Sequence, residues 1–401
     1  MCQGGQFPRT LGAPPRPPYR QGMRRGWRYH GPWAAGVLGM GLLAWAAPVF
    51  AGEGEVRRGR QLFDAPWRVP AGQDPLGPLL NATACADCHP GGEAGAPGGP
   101  ALVLRTGGDP MLGQQIQPLA IAGMVGEAVP PPRLQPVAVA GEVLRRAVWH
   151  VGERRLAGRL APGLRGAGLL ALIPDAVLVQ AADPLDADGD GVSGRPGAGR
   201  FGRKAEHATL AAAIEAALVV DMGLATPSQP QPEGDCTPAQ PACLAAAASG
   251  TPVEPLAIAR LTAFVAALRP RPADGAGGRG AELFATAGCG TCHAGPYVIA
   301  SDPAVTGRPV ETIAPYTDLL LHDLGPCLAD PFRAPGAAAG EWRTAPLWGL
   351  RHRAALLHDG RAGSVREAIL WHDGEAAGSR RRFLALAADE QADLLRFLAG
   401  L

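Results

Sequence analysis

The chain has 401 residues, enough for two or three domains of ordinary size. Aromatic residues make up only 5% while Gly (56) and Pro (41) are abundant, which predicts a loop-rich fold with short helices where a large cofactor supplies the missing apolar bulk. The formal charge is +1, but residues 1–51 hold six arginines and no acid, which leaves −5 for the remainder and excludes nucleic acid as a natural partner.

The chain opens with an address. Arg24, Arg25 and Arg28 precede an apolar run from Ala34 to Ala47, and Val49-Phe50-Ala51 has the small residues of a cleavage site. A membrane anchor is the competing reading, but the run is short for a span and ends in Pro48. Residues 1–51 therefore read as a signal peptide with an N-terminal extension ahead of Met23, predicting periplasmic export and no stable membrane span after processing.

Glu53 to Phe63 reads as a short amphipathic helix with Leu62 and Phe63 on its apolar side. Downstream lies Cys85-Ala86-Asp87-Cys88-His89. The same succession recurs as Gly280-Ala281-Glu282-Leu283-Phe284 followed by Cys289-Gly290-Thr291-Cys292-His293, an internal repeat of helix and motif. Cys-x-x-Cys-His is a c-type haem attachment pattern: the two sulfurs add across the haem vinyl groups, and the His places an imidazole under the iron. Two covalent c-type haems are expected, in whatever internal space lies between the motifs. A zinc ribbon would bring its Cys pairs to within about 15–20 residues of each other. A thioredoxin-type pair would sit in a βαβ context, and neither explains a His after both pairs.

Beyond His89, residues 90–135 read as irregular, and Val139 to Arg146 and Leu160 to Ile173 as short strands or helices. Ala208 to Val220 is Ala-rich and unbroken, hence helical. Residues 225–254 form a Pro/Ser/Gly linker, Leu256 to Leu268 is helical, and a last helix over Asp389 to Leu398 is expected to cross the first helix of its own haem domain. The fold class expected is mainly α, two cytochrome c-like haem domains with long irregular loops, over 52–250 and 251–401. Of the eight cysteines, four serve the motifs and Cys2 leaves with the leader. Cys236 and Cys243 can bridge, leaving Cys327 as a buried free thiol. Nearly every base is Arg, with Lys204 the exception, a bias that reads as genome composition.

Asp186, Asp188 and Asp190, followed by Gly191 and Ser193, have the spacing of a calcium loop, since three carboxylates on alternate positions repel one another unless a hard cation joins them. The twelfth position is Gly197, so the bidentate Glu of an EF-hand is missing.

Several stretches carry a family resemblance. They are Ile173-Pro174-Asp175-Ala176, Asp183 to Gly191, Arg200-Phe201-Gly202-Arg203-Lys204-Ala205 and Asp221-Met222-Gly223, then Pro315 to Pro326, Glu341 to Gly349 and Leu357-His358-Asp359-Gly360-Arg361-Ala362. Together they resemble the di-haem oxidoreductase family and, more distantly, bacterial di-haem cytochrome c peroxidases. The resemblance implies an N-terminal haem that reacts with peroxide, a C-terminal haem that accepts electrons, and a calcium ion between the domains. In those peroxidases a Met lies fourteen residues after the His-Asp-Gly segment; here that count from His358 lands on His372, which the resemblance makes the distal ligand of the second haem. A bis-His pair, His293 with His372, implies a lower potential than His/Met. His322 and His358 each precede Asp and read as structural histidines in tight loops or at a haem propionate.

For the first haem, His150, His207, Met111, Met222 and a vacancy all stand as options at the sixth position. A peroxidase needs a polar group to move protons; Gln114, Gln115, Glu142 and Glu206 are candidates, with Glu206 favoured as the catalytic residue because it adjoins the Arg200–Ala205 motif. Trp149, Tyr316, Trp342, Trp348 or Trp371 could stand between the haems. The activity expected is reduction of hydrogen peroxide with electrons from a small donor such as a monohaem cytochrome c or cupredoxin. The alternatives are an electron-transfer protein without turnover and an oxidase acting on a partner protein. Thiol oxidation fits poorly, because haem consumes the obvious Cys pairs.

Overall fold

The computed structural model describes residues 52–67, 76–231, 233–247, 252–274, 277–300 and 310–401, all within one compact unit. The expected leader lies outside the described residues, and none of the described helices is long and apolar enough to cross a membrane.

The helices that frame the motifs are α1 (Glu53–Asp64), α2 (Leu210–Met222), α3 (Pro255–Ala267), α4 (Arg279–Thr286), α5 (Val365–Trp371) and α6 (Ala388–Ala399). Local chemistry sets their ends. Thr209 caps α2 by accepting from the Ala212 N–H, and Gly223, at φ 64°, closes it in the left-handed conformation that glycine adopts without penalty. Pro255 opens α3 at the position where a missing N–H costs nothing.

Two equivalent helix crossings follow from the sequence repeat. Helix α1 packs on α3, and α4 packs on α6, as expected for the terminal helix. Both crossings run through a glycine. A Cβ on Gly59 would lie 2.0 Å from the Arg260 carbonyl oxygen, and one on Gly280 would lie 2.4 Å from that of Asp393. Four residues after each glycine a phenylalanine meets one on the partner helix: Phe63 on Phe264 at 5.1 Å and Phe284 on Phe397 at 5.6 Å between ring centroids. Each crossing seeds its own apolar cluster. Phe63, Leu218, Met222, Leu261 and Phe264 form one, with Cys85 against it; Phe284, Trp371, Phe383, Leu394 and Phe397 form the other, with Cys289 against it.

The mainly α expectation is overturned: 33% of the structure is helical and 18% is strand, in several antiparallel sheets. The largest sheet lies in the segment read partly as irregular. Strands β1 (Leu102–Asp109), β2 (Gly113–Gln115), β3 (Arg133–Val139), β4 (Glu142–Val151) and β5 (Arg154–Leu160) form a five-stranded antiparallel sheet in the order β2-β1-β5-β4-β3. Two tight turns explain it. Val139 pairs with Glu142 and Val151 with Arg154, so each hairpin loop has two residues, and positive φ at Ala140 (50°), Gly141 (85°) and Gly152 (56°) matches the strand twist. Leu104, Ile116, Trp149 and Leu156 make its core. A second, two-stranded sheet pairs β6 (Leu321–Asp323) with β7 (Glu341–Arg343).

The Cys236–Cys243 disulfide is present. Cys327, expected as a free thiol, is instead engaged in a disulfide.

The Gly280→Ala and Gly59→Ala variants must push a backbone carbonyl aside and should each lose about 1–3 kcal/mol in denaturant unfolding. Unchanged stability would show that the crossings tolerate separation.

Candidate functional site

Both motifs open onto one cavity of about 1550 Å³. Single small-molecule sites run to roughly 300–1,000 Å³, so this space suits more than one large group. Its wall includes Cys85, Cys88, His89, Cys289, Cys292 and His293.

The first motif is a four-residue helical turn, Cys85–Cys88. Asp87, inside the motif, starts that turn: its Oδ2 accepts from the N–H groups of Thr83 and Ala84, both at 3.0 Å. The second motif is a tighter 3₁₀ turn, Cys289–Thr291, entered through Gly288 at φ 75°. Burial pushes the Cys85 and Cys88 thiols up to about 12 and Cys289 to about 11. Thiols that stay protonated at neutral pH are poor exchange nucleophiles, which weighs against disulfide chemistry at these pairs.

The two histidines are prepared alike. His89 Nδ1 donates to the Pro162 carbonyl at 2.8 Å, and His293 Nδ1 to that of Tyr316 at 2.9 Å. Burial lowers each pKa to about 4, so both rings are neutral, with Nε2 left as a free lone pair. Tyr316 holds φ at 54°, a strained value for a bulky residue that aims its carbonyl at His293.

His372 ends α5, and its Nδ1 donates to the Ala368 carbonyl at 2.6 Å. Its ring centroid lies 6.5 Å from that of His293. Two imidazoles bound to opposite sides of one metal through bonds of roughly 2 Å would stand at about this separation. No second histidine ring faces His89 in this way among the described residues. The same cavity wall carries instead the small α2 side chains of Ala213, Ala216 and Ala217, with Gln114, Glu206, His207 and Met222. Glu206 accepts from the Lys204 N–H at 2.9 Å. Of the other options, Met111 is 57% exposed, Glu142 pairs with Arg366, and neither these nor His150 and Gln115 line the cavity. The attachment residues and His372 thus fit the group that the motifs imply.

His322 stands outside that ligand set. Its Nε2 donates to Asp318 at 2.9 Å and its Nδ1 to Glu375 at 2.7 Å, with Cys292 Sγ at 3.7 Å. Burial opposes the charge, but the bonds to Asp318, Cys292 and Glu375 outweigh it and carry the pKa up to about 12. Glu375 also accepts from the Ser193 N–H and hydroxyl at 3.0 and 3.1 Å. That bond ties the acidic loop to the second motif. Within the loop, Asp183, Asp186 and Asp188 converge, each offering an oxygen within 4.8 Å of the others, while Asp190 turns to the Val192 N–H.

Of the five aromatic residues considered, Trp342 is the one on the cavity wall. His358 stacks on it at 3.8 Å, and Lys204 Nζ sits 3.7 Å from the ring. Sequence reasoning missed the basic residues on this wall, among them Arg203, Arg343 and Arg353. Arg203 and Arg343 fall within stretches that carry the resemblance, but in a chain whose bases are almost all Arg nothing marks which of them line a cavity.

A family model described as "Di-haem oxidoreductase, putative peroxidase" matches residues 151–401. No curated protein matches the chain. Among solved structures, hydrazine synthase of Kuenenia stuttgartiensis is similar at 15% identity over 87% of this chain and 88% of that one, with a TM-score of 0.41. A variant of the diheme peroxidase BthA of Burkholderia thailandensis is similar at 14% identity over 87% of each chain, with a TM-score of 0.29. Neither likeness is close enough to bear on the chemistry here.

Replacing His322 by Gln removes an imidazolium whose pKa is raised in the folded state. The stability it contributes is complete below about pH 6.5, the ordinary value, and is lost as pH rises toward about 12. Denaturation of both proteins from pH 5 to 10 should show the difference largest at the acid end and shrinking with alkali. A difference that grows with pH would contradict the charged assignment.

Proposed function

Because this chain belongs to the di-haem oxidoreductase family, we propose that it is an exported c-type enzyme that reduces hydrogen peroxide to water with electrons from a small redox protein. The observation that carries the reading is the opening of both Cys-x-x-Cys-His motifs onto one cavity. Cys85 and Cys88 would hold one haem and Cys289 and Cys292 the other, each through two thioether bonds, with His89 and His293 as proximal ligands. Bound haem iron supplies one-electron chemistry and, where a coordination position is open, a seat for peroxide.

In this reading the two motifs do different work. The separation of His293 and His372 supports a second haem closed on both faces, suited to receiving electrons from a donor such as a monohaem cytochrome c or cupredoxin. The Ala-lined α2 wall leaves room near the first motif for peroxide, and the Glu206 carboxyl group on that wall is the one that would relay protons to it. Reduction of one peroxide consumes two electrons and two protons and yields two waters. The convergence of Asp183, Asp186 and Asp188 supports calcium in the acidic loop, with Glu375 linking that loop to the second haem.

Purified protein should carry two haems, and the Cys85→Ala/Cys88→Ala variant one, by pyridine haemochrome assay. EPR of the oxidised and half-reduced protein should show a low-spin centre that His372→Ala converts to high spin, and a high-spin signal that peroxide consumes. Two low-spin signals indifferent to peroxide would replace the peroxidase with an electron-transfer protein. Glu206→Gln should lower peroxide turnover about 10²-fold with the spectra unchanged.

A further inference from the structure

Arg203, Arg343 and Arg353 lie on the cavity wall. Other arginines have a carboxylate: Arg159 has Asp330, Arg195 has Glu341, Arg361 has Asp359 and Arg380 has Asp373. These three have none, and bond only to backbone carbonyls. Arg203 Nη2 donates to Leu160 at 2.7 Å, Arg343 to Gly202 and Thr344 at 2.8 and 3.1 Å, and Arg353 to Pro346 and Trp348 at 2.7 and 3.2 Å. Arg203 Nε is buried with no partner. Each guanidinium has five N–H donors, so most of that capacity is unspent.

The nearest acids do not neutralise the trio. Asp359 acts on Arg203, Glu206 and Asp318 on Arg343, and Glu93 on Arg353. Three of those acids are already engaged elsewhere: Asp359 holds Arg361, Asp318 holds His322, and Glu93 holds Arg165 and Arg271. Glu206 is a single carboxyl group against three guanidinium groups. Burial, aided for Arg203 and Arg343 by neighbouring cations, pushes the three downward, Arg203 to about 9 and the others to about 10. Buried charges left unpaired are strongly destabilising, and the planar fork of Arg matches a carboxylate.

Arg203 lies beside the first motif, and the charges of Arg343 and Arg353 act on Arg203. Arg203 bonds to Leu160, two residues before the Pro162 carbonyl that accepts the His89 hydrogen bond, and its charge helps to lower the His89 pKa. Arg343 is tied to Arg203 by its backbone N–H on the Arg203 carbonyl at 3.0 Å. We propose that Arg203, Arg343 and Arg353 form the seat for the propionate carboxylates of the haem attached at Cys85 and Cys88. This rests on the haem reading above and names which atoms of the group those residues receive.

Spectroelectrochemical titration of the full chain tests it, with haem content measured alongside. Removing the cations leaves the propionate charge unbalanced, which favours the ferric state. Arg203→Gln/Arg353→Gln should therefore shift the ferric–ferrous equilibrium of the first haem at least tenfold toward ferric, about 59 mV for one electron, and leave the second haem unmoved. Arg203→Lys keeps the charge but loses the fork. It should hold the potential near wild type yet move the propionate-bending band in the resonance Raman spectrum, and it decides the matter if the double variant does not fold. Two bound haems with unmoved potentials and an unmoved band would overturn the proposal. So would acetate shifting the wild-type spectrum but not that of Arg203→Lys, which would make the seat one for a free carboxylic acid. Wild-type protein without covalent haem would instead sink the haem reading itself.

Discussion

Two helix crossings close enough for backbone to touch backbone hold this structure in place. Gly59 and Gly280 remove the side chain that would keep the helices apart, and the phenylalanine pair beside each crossing fills the resulting angle. Cys85 and Cys289 each pack against the apolar cluster that their crossing seeds, and both motifs open onto the cavity from there. The strand-rich segment between Leu102 and Leu160 builds outward from the first of them, and its end places Pro162 where His89 needs an acceptor.

The cavity is chemically uneven, and burial is the cause. His89 and His293 are kept neutral because a charged imidazole would lose its hydration there, and a neutral ring keeps a lone pair for a metal. His322 keeps its charge in equally dry surroundings because two carboxylates were brought in with it. Arg203, Arg343 and Arg353 were brought in without any, and the positive charge they leave on the wall is met by an anionic ligand more simply than by protein.

The sequence was least informative where side chains of one type do different work. Arg203 and Arg396 are the same letter, yet one is half-buried on the cavity wall and the other lies exposed on a helix. The hairpins at Ala140-Gly141 and Gly152-Glu153 were missed because their turn residues are not the usual Asn-Gly pair, and Gly-rich sequence reads as irregular until its strands find partners.

Alone, the sequence determined what covalent chemistry and short-range spacing determine. It specified the two Cys-x-x-Cys-His motifs, the helices at Leu210–Met222 and Ala388–Ala399, the bridge between Cys236 and Cys243, and a repeat whose shared Gly and Phe already encode the crossings. Tertiary structure decided everything that depends on distance across the chain: that both motifs share one cavity, that His372 faces His293, and that the carboxyl group of Glu375 joins the acidic loop to His322. The physical reason is desolvation. A residue's charge, tautomer and available lone pairs depend on what else is buried with it, and its neighbours in sequence do not record that.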